Sequence, residues 1–253
     1  VHVGHKAAVW PDVFKYKNEG NEEEQIKSFK WQKVIREFWD DFWNQDEVKD
    51  AEYVVNLAES IEGKNDKEYG KNLMTVDLNR QVEAFAELIK PKLKGKKYIG
   101  ISGSKYHESG DMESEALIAK ILGGEWHYCM VNKRFGRWII QFSHQISDSC
   151  LYKSTALDRN SLFLDASEGS GKLNFHIDII ACGHEHSFFL NQNESRISFI
   201  APCWKCWHPI RKYGAKDYAR RMPTIGGCVI ELGKTAAVKL YNYPLPHVYD
   251  ALR

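Results

Sequence analysis

Several of the ten histidines in this 253-residue chain stand where a run of apolar residues stops. Ile179-Ile180-Ala181-Cys182 leads into Gly183-His184-Glu185-His186, and Ile139-Ile140-Gln141-Phe142 leads into Ser143-His144. Ile99-Gly100-Ile101 leads into Ser102-Gly103-Ser104-Lys105-Tyr106-His107, and Val54-Val55-Asn56-Leu57 is followed by Ala58-Glu59. His2-Val3-Gly4-His5 would follow whatever strand precedes Val1. The carboxyl ends of strands in open α/β sheets are where residues from distant parts of a chain assemble into one site. Imidazole and carboxylate together suit Zn, Mn, Fe and related divalent ions. Two histidines one residue apart reach two neighbouring ions, or one ion from two sides. Two ions about 3.5–4 Å apart clamp the attacking and leaving oxygens of a phosphoester. Taken singly, each histidine reads as an ordinary hydrogen-bonded side chain. Recurrence of one residue class at successive strand ends is what points to metal.

The elements that must position these residues follow from periodicity. A helix is expected over about 22–43, where Ile26, Phe29, Val34, Phe38 and Phe42 recur at three- to five-residue steps. Strands are expected at Glu52–Leu57, Lys97–Ile101, Arg137–Phe142, Phe175–Ala181 and Arg196–Ile200. Helices are expected over Val76–Ile89, stopped by Pro91, over Met112–Leu122, stopped by Gly123-Gly124, and over Ser154–Ala166. Gly227–Leu232 and Ala236–Asn242 read as a hairpin about Gly233-Lys234. Alternating elements with a terminal hairpin predict an α/β layered fold containing mixed sheet.

With those residues in place, the chain resembles the calcineurin-like metallophosphoesterases. That superfamily carries Asp-x-His, Gly-Asp, Gly-Asn-His, a lone His and Gly-His-x-His after successive strands. Gly183-His184-Glu185-His186 matches the last motif, His144 fits the lone His, and His2 fits the His of the first. The order agrees over nearly the whole chain. His2–Ala8, Asn56–Gly63 and Pro223–Gly227 look similar to uncharacterised phage and archaeal members. The resemblance implies one four-layer αββα sandwich with mixed sheets over 1–253, with a helical insertion or cap at about 20–50. It also implies two divalent ions (Mn, Fe, Zn or Ni), one on His2 and His186, the other on His144 and His184, with Glu59 bridging. The implied reaction is hydrolysis of a phosphomonoester or phosphodiester by metal-activated water, with His107 as general acid or charge stabiliser. This chain departs from the pattern in three places. Ala58-Glu59 replaces Gly-Asp, Ser104 stands where the metal-binding Asn would be, and the Asp of Asp-x-His would fall immediately before Val1. Those departures keep a non-catalytic nucleotide- or partner-binding relative as the rival of a different class.

Other features bear on substrate and setting. Lys105 is a candidate for neutralising phosphate charge, and Trp204, after Pro202, a candidate substrate wall. Cys203-Trp204-Lys205-Cys206 with His208 has the start of a structural zinc site but no second cysteine pair, which favours buried thiols. Arg211, Lys212, Lys216, Arg220 and Arg221 form a basic stretch that keeps a nuclease acting on DNA or RNA in view, although a net charge of +1 gives no bulk attraction to nucleic acid. The six cysteines lie mostly in apolar stretches, so reduced thiols and a cytoplasmic location are expected. No run of about 18 apolar residues exists to span a membrane as a helix.

Overall fold

Alternation along the strands sorts the apolar side chains into two opposed sets. In a computed structural model, described over residues 1–64, 69–104, 106–107, 113–145, 153–206 and 222–244, three parallel strands form one sheet in the order β3-β4-β5. These are Tyr53–Asn56, Lys97–Ile101 and Glu125–His127. A second sheet runs β6-β7-β8-β10-β9. Its three inner strands, β7 (Trp138–Ser143), β8 (Ile179–Cys182) and β10 (Ile197–Ile200), are parallel. Its edges, β6 (Met130–Phe135) and β9 (Phe189–Gln192), run antiparallel to their neighbours. Ile99 and Ile101 of β4 face Ile140, Phe142, Ile179, Ala181 and Phe199 across the interval between the sheets, forming one buried cluster. Tyr98, on the opposite face of β4, joins the helices instead.

The outer layers follow from the remaining faces. Helices α1 (Lys30–Asn44), α3 (Leu78–Leu93) and α4 (Ser114–Leu122) share a core with Tyr98, contributed by residues such as Ile35, Trp39, Phe85, Leu88 and Ile118. Helix α5 (Lys153–Gly169) covers the other sheet, where Leu164 meets Ile139 and Ile180, and Leu157 meets Cys182 and Ile200. The order is therefore helices, sheet, sheet, helix: the four-layer α/β/β/α arrangement with mixed sheet. Burial of each large aliphatic or aromatic side chain contributes about 1.5–3 kcal/mol, so the inter-sheet cluster and the α1/α3 face supply most of the cohesion. The hairpin β11 (Ile225–Leu232) and β12 (Ala236–Tyr243) pairs in full antiparallel register and packs against both cores.

Two expectations need correction. The segment expected to be one helix from about residue 22 is a strand and then a helix. β2 (Glu23–Lys27) pairs with β1 (Val13–Lys17), placing Ile26 opposite Phe14, and α1 starts only at Lys30. Helix α1 buries Trp31, Ile35, Trp39, Phe42 and Trp43 along one face. Second, α3 runs through Pro91 to Leu93. A proline there removes one intrahelical bond near the helix end, where the loss is tolerated.

Two buried glutamines tie these helices to the loops at the strand ends. Gln32 on α1 donates to the Ala8 carbonyl (3.0 Å) and its side-chain oxygen accepts from Phe29 N (3.0 Å), capping the helix. Gln81 on α3 exchanges hydrogen bonds with both backbone groups of Gly63 at 3.0 Å. The outer helical layer thereby holds the loops after Val1 and after β3.

Candidate metal centre

The loops that end β3, β4, β7 and β8 meet the segment Val1–Ala8 at one edge of the two sheets. His2 N donates to the Glu59 carbonyl (2.7 Å), Val3 N to Ser60 O (2.9 Å) and Glu62 N back to Val3 O (2.9 Å). That short parallel zipper sets His2 beside Glu59. From α4, buried Glu115 accepts from Ser60 N and Ser60 Oγ, each at 2.7 Å, fixing the turn from behind. Gly183 N donates to His144 O (3.1 Å), which joins the loops after β7 and β8.

The backbone here is unusual. His2, Ala58, Glu59, His184 and His186 all have φ between 54° and 80°, the left-handed region. Each non-glycine residue held there costs about 1–3 kcal/mol, and such costs gather at functional sites. Ala58 adopts φ 80°, a conformation that favours glycine, so this turn is held with strain.

The side chains converge on Glu59, which is 5% exposed. Its Oε2 lies 3.0 Å from His2 Nε2 and 3.6 Å from His186 Nε2, and those two ring nitrogens are 2.7 Å apart. Its Oε1 lies 3.0 Å from His144 Nε2 and 3.9 Å from His184 Nδ1, themselves 3.0 Å apart. Ser104 Oγ donates to the same Oε1 (3.0 Å), and His107 Nε2 stands 3.7 Å away. Both key rings are held from behind: His2 Nδ1 sits 2.9 Å from Glu62 Oε2, and His144 Nδ1 2.9 Å from Leu57 O. A ring that donates from Nδ1 has its Nε2 free to bind a metal ion when the ring is neutral. Nitrogen and oxygen lone pairs gathered in two sets around a shared carboxylate are the donor chemistry of divalent-metal sites, and the residues fit such ions.

No family model matches this chain, and no curated protein matches it by sequence. Among solved structures it is similar to vacuolar protein sorting 29 from Cryptosporidium parvum, at 12% identity and TM-score 0.40, over 82% of this chain and 89% of that one. It is similar to an uncharacterised predicted phosphoesterase from Streptococcus pneumoniae, at 13% identity and TM-score 0.38, over 83% and 81%. A zinc complex of Vps29 from Entamoeba histolytica aligns at 11% identity and TM-score 0.34, over 58% and 81%. These likenesses are distant, and the reading of the site rests on its own residues.

Electrostatics follow the geometry. Burial opposes the charged form of Glu59, but His2 and hydrogen bonds from His144, His184 and His186 outweigh it and hold the carboxyl well below its ordinary range. Burial, helped by Lys205 and His186, keeps His2 well below its usual value, and so neutral. For His144 burial pulls downward, but the hydrogen bond and charge of Glu59 prevail and raise it. Glu59 held ionised and His2 held neutral are in the protonation states that a divalent ion requires of its ligands.

The structure brings His2, Glu59, His107, His144, His184 and His186 together, and among the described residues the close ligand groups are His2–Glu59–His107 and Glu59–His144–His184. Trp204 is 6% exposed and packs on Trp39, Phe42 and Tyr243. It reaches the inner lining of a cavity of about 1030 Å³ that also touches His144 and His184. Lys105, His208 and the basic stretch from Arg211 to Arg221 lie outside the described residues. Cys203 and Cys206 are buried, burial pushes the Cys203 thiol up to about 11, and neither joins the ligand groups. Sequence reasoning missed Glu62, Lys205, Gln81 and Glu115. The one available signal was Glu62 falling three residues after Glu59 within Asn56–Gly63.

Proposed function

We propose that this chain is a metal-dependent phosphoesterase of the calcineurin-like type. One observation carries the reading: each oxygen of a buried glutamate faces its own pair of imidazole nitrogens. His2 and His186 would hold one ion, His144 and His184 the other, and Glu59 would bridge them. The nitrogen–oxygen donor set suits Mn, Fe, Zn or Ni. Bound there, two such ions would polarise the phosphoester oxygens and make water nucleophilic at neutral pH.

The chain's own groups supply the rest. Ser104 Oγ steadies Glu59. His107 donates from Nδ1 to the Glu62 carbonyl (2.7 Å), which turns Nε2 toward the centre. With both ring nitrogens protonated, His107 keeps Nδ1 on the Glu62 carbonyl and gives the Nε2 proton to the leaving oxygen as the P–O ester bond breaks, while the attacking water loses its proton to solvent. Water is the nucleophile, so no phospho-enzyme forms. Substrates are phosphomonoesters or phosphodiesters.

The test is turnover of p-nitrophenyl phosphate and bis-p-nitrophenyl phosphate by the full chain, stripped of metal and then resupplied with Mn, Ni, Zn or Fe. Metal-dependent hydrolysis that disappears in His184→Ala supports the reading, and the preferred ester gives the substrate class. A folded protein that binds the ions but turns over neither ester under any metal would defeat it.

A further inference from the structure

The two rings that flank Glu59 are supported by different means. His144 leans on a backbone carbonyl, that of Leu57. His2 leans on a side chain, since its Nδ1 sits 2.9 Å from Oε2 of Glu62, which is 1% exposed. Lys205 Nζ, arriving from the loop after β10, donates to that same oxygen at 2.8 Å. The Glu62 carbonyl meanwhile accepts from His107 Nδ1 at 2.7 Å, so one residue steadies two imidazoles. A buried carboxylate stays ionised only when paired, and Lys205 is the cation that pairs with it. An ionised carboxylate behind Nδ1 selects the tautomer with its lone pair on Nε2, the atom that faces Glu59 Oε2 and His186.

We infer that Glu62, held by Lys205, is a positioning residue that sets the tautomer and ring direction of His2 and thereby the affinity of one of two ion positions. The inference rests on the reading that His2 and His186 hold an ion. The position on His144 and His184 takes its support from Leu57 and from the contact between the two rings, and is independent of Glu62. Lys205 ties the device to the Cys203–Cys206 segment, so a loop 143 residues distant in sequence takes part in ligand geometry.

The experiment uses metal-depleted full chain and manganese(II) alone, titrated by calorimetry, with long-range nitrogen–proton spectra reporting the tautomer of His2. The variants are Glu62→Ala, Glu62→Gln and the double change Glu62→Leu with Lys205→Met. The wild type is expected to take two ions. Glu62→Ala should weaken one of them by about tenfold to a hundredfold, the usual cost of losing an outer-shell partner, leave the other unchanged, and mix the His2 tautomers. Glu62→Gln, whose amide oxygen still accepts from Nδ1–H, should recover most of the affinity. The double variant removes both charges together, leaving neither unpaired, and should lose the same single ion. Two wild-type affinities in folded Glu62→Ala or in the folded double variant, equal weakening of both ions, or no recovery with glutamine would each overturn the positioning role. A wild type that binds no manganese would sink this role together with the reading beneath it. Two ions bound equally well by the wild type and by Glu62→Ala would sink the role alone.

Discussion

Two clusters of histidine and carboxylate sit at different places in this fold, and they balance their charges in opposite ways. Under α5, Arg196 is fully buried at its side chain and directs Nη2 to Asp165 and Glu168. His176 Nδ1 donates to Glu168 (2.6 Å) and its Nε2 to Ser195 O (2.8 Å). Donors are in surplus there: Nε and Nη1 of Arg196 find no partner among the described residues. At the strand ends the surplus is of capacity to accept, since His2, His144, His184 and His186, each with one bare ring nitrogen when neutral, surround the carboxylate of Glu59. The first cluster is a fastener whose cation is built in. The second fits a cation from outside. Residue types alone do not separate the two; the donor–acceptor count does.

The comparison breaks most visibly at Glu59. Glu59→Gln leaves one pair of rings facing an NH2 and strips the shared negative charge from the other, so both ions should weaken, by more than the roughly hundredfold that an outer-shell partner costs. Turnover should fall with them. A thermal readout sharpens the point. Metal at about a hundred times its Kd should stabilise the wild type by about 2.7 kcal/mol for each ion bound, which for a chain of this size is a Tm rise of roughly 5–11 °C per ion. Glu59→Gln should show no rise. A full metal-induced rise in that variant would mean that the ions bind elsewhere.

The fastener predicts the reverse pattern. Asp165→Ala combined with Glu168→Ala leaves a buried guanidinium without counter-charge, which costs about 3–5 kcal/mol. Manganese binding by the folded fraction should be unchanged. Arg196→Met should cost less, because the carboxylates it leaves behind retain access to water. A urea titration of each variant beside a metal titration checks both halves, and lost metal affinity in the Asp165/Glu168 variant would show that the two clusters are coupled.

What was legible in the sequence follows the same division between types and contacts. β4 reads to the residue, because an apolar run between the Gly95 turn and Ser102 has one interpretation. The 22–43 segment does not, because Ile26 suits a helical face as well as the hairpin; only pairing with Phe14 decides it. Edge strands β6 and β9 mix polar and apolar residues and carry little signal. The ligand types and their places after strands were readable one strand at a time. The contacts from Glu62 to His2 and to Lys205, across 60 and 143 residues, were not, since no local pattern encodes them.

Backbone geometry gives a smaller test on the metal side. Gly63 has φ +80°, and an added Cβ would lie 2.5 Å from the His107 carbonyl oxygen. Gly63→Ala should therefore cost about 1–3 kcal/mol in strain and push His107 outward. Turnover should fall further than metal affinity, because His2, His144, His184 and His186 stay in place. Equal loss of both would make His107 a ligand rather than the proton donor.

The smallest expected effect concerns pH and belongs to the fastener. His176 is opposed by burial, but the hydrogen bond to Glu168 raises it above its ordinary 6.5. Its contribution is fully present below that value and is lost as pH rises through the raised one. Glu168 is also opposed by burial, yet His176, the Ile177 amide and Arg196 lower it below 4.5. Its contribution is present above 4.5 and is lost as pH falls through the lowered value. The pair therefore supports the fold most between about pH 4.5 and 6.5. His176→Gln should narrow the gap in urea midpoint to the wild type as pH climbs past 6.5, while the metal-induced Tm rise of the two proteins stays equal at each pH. A gap independent of pH would mean that His176 serves by packing alone, and the fastener would then rest on Arg196 and its two carboxylates.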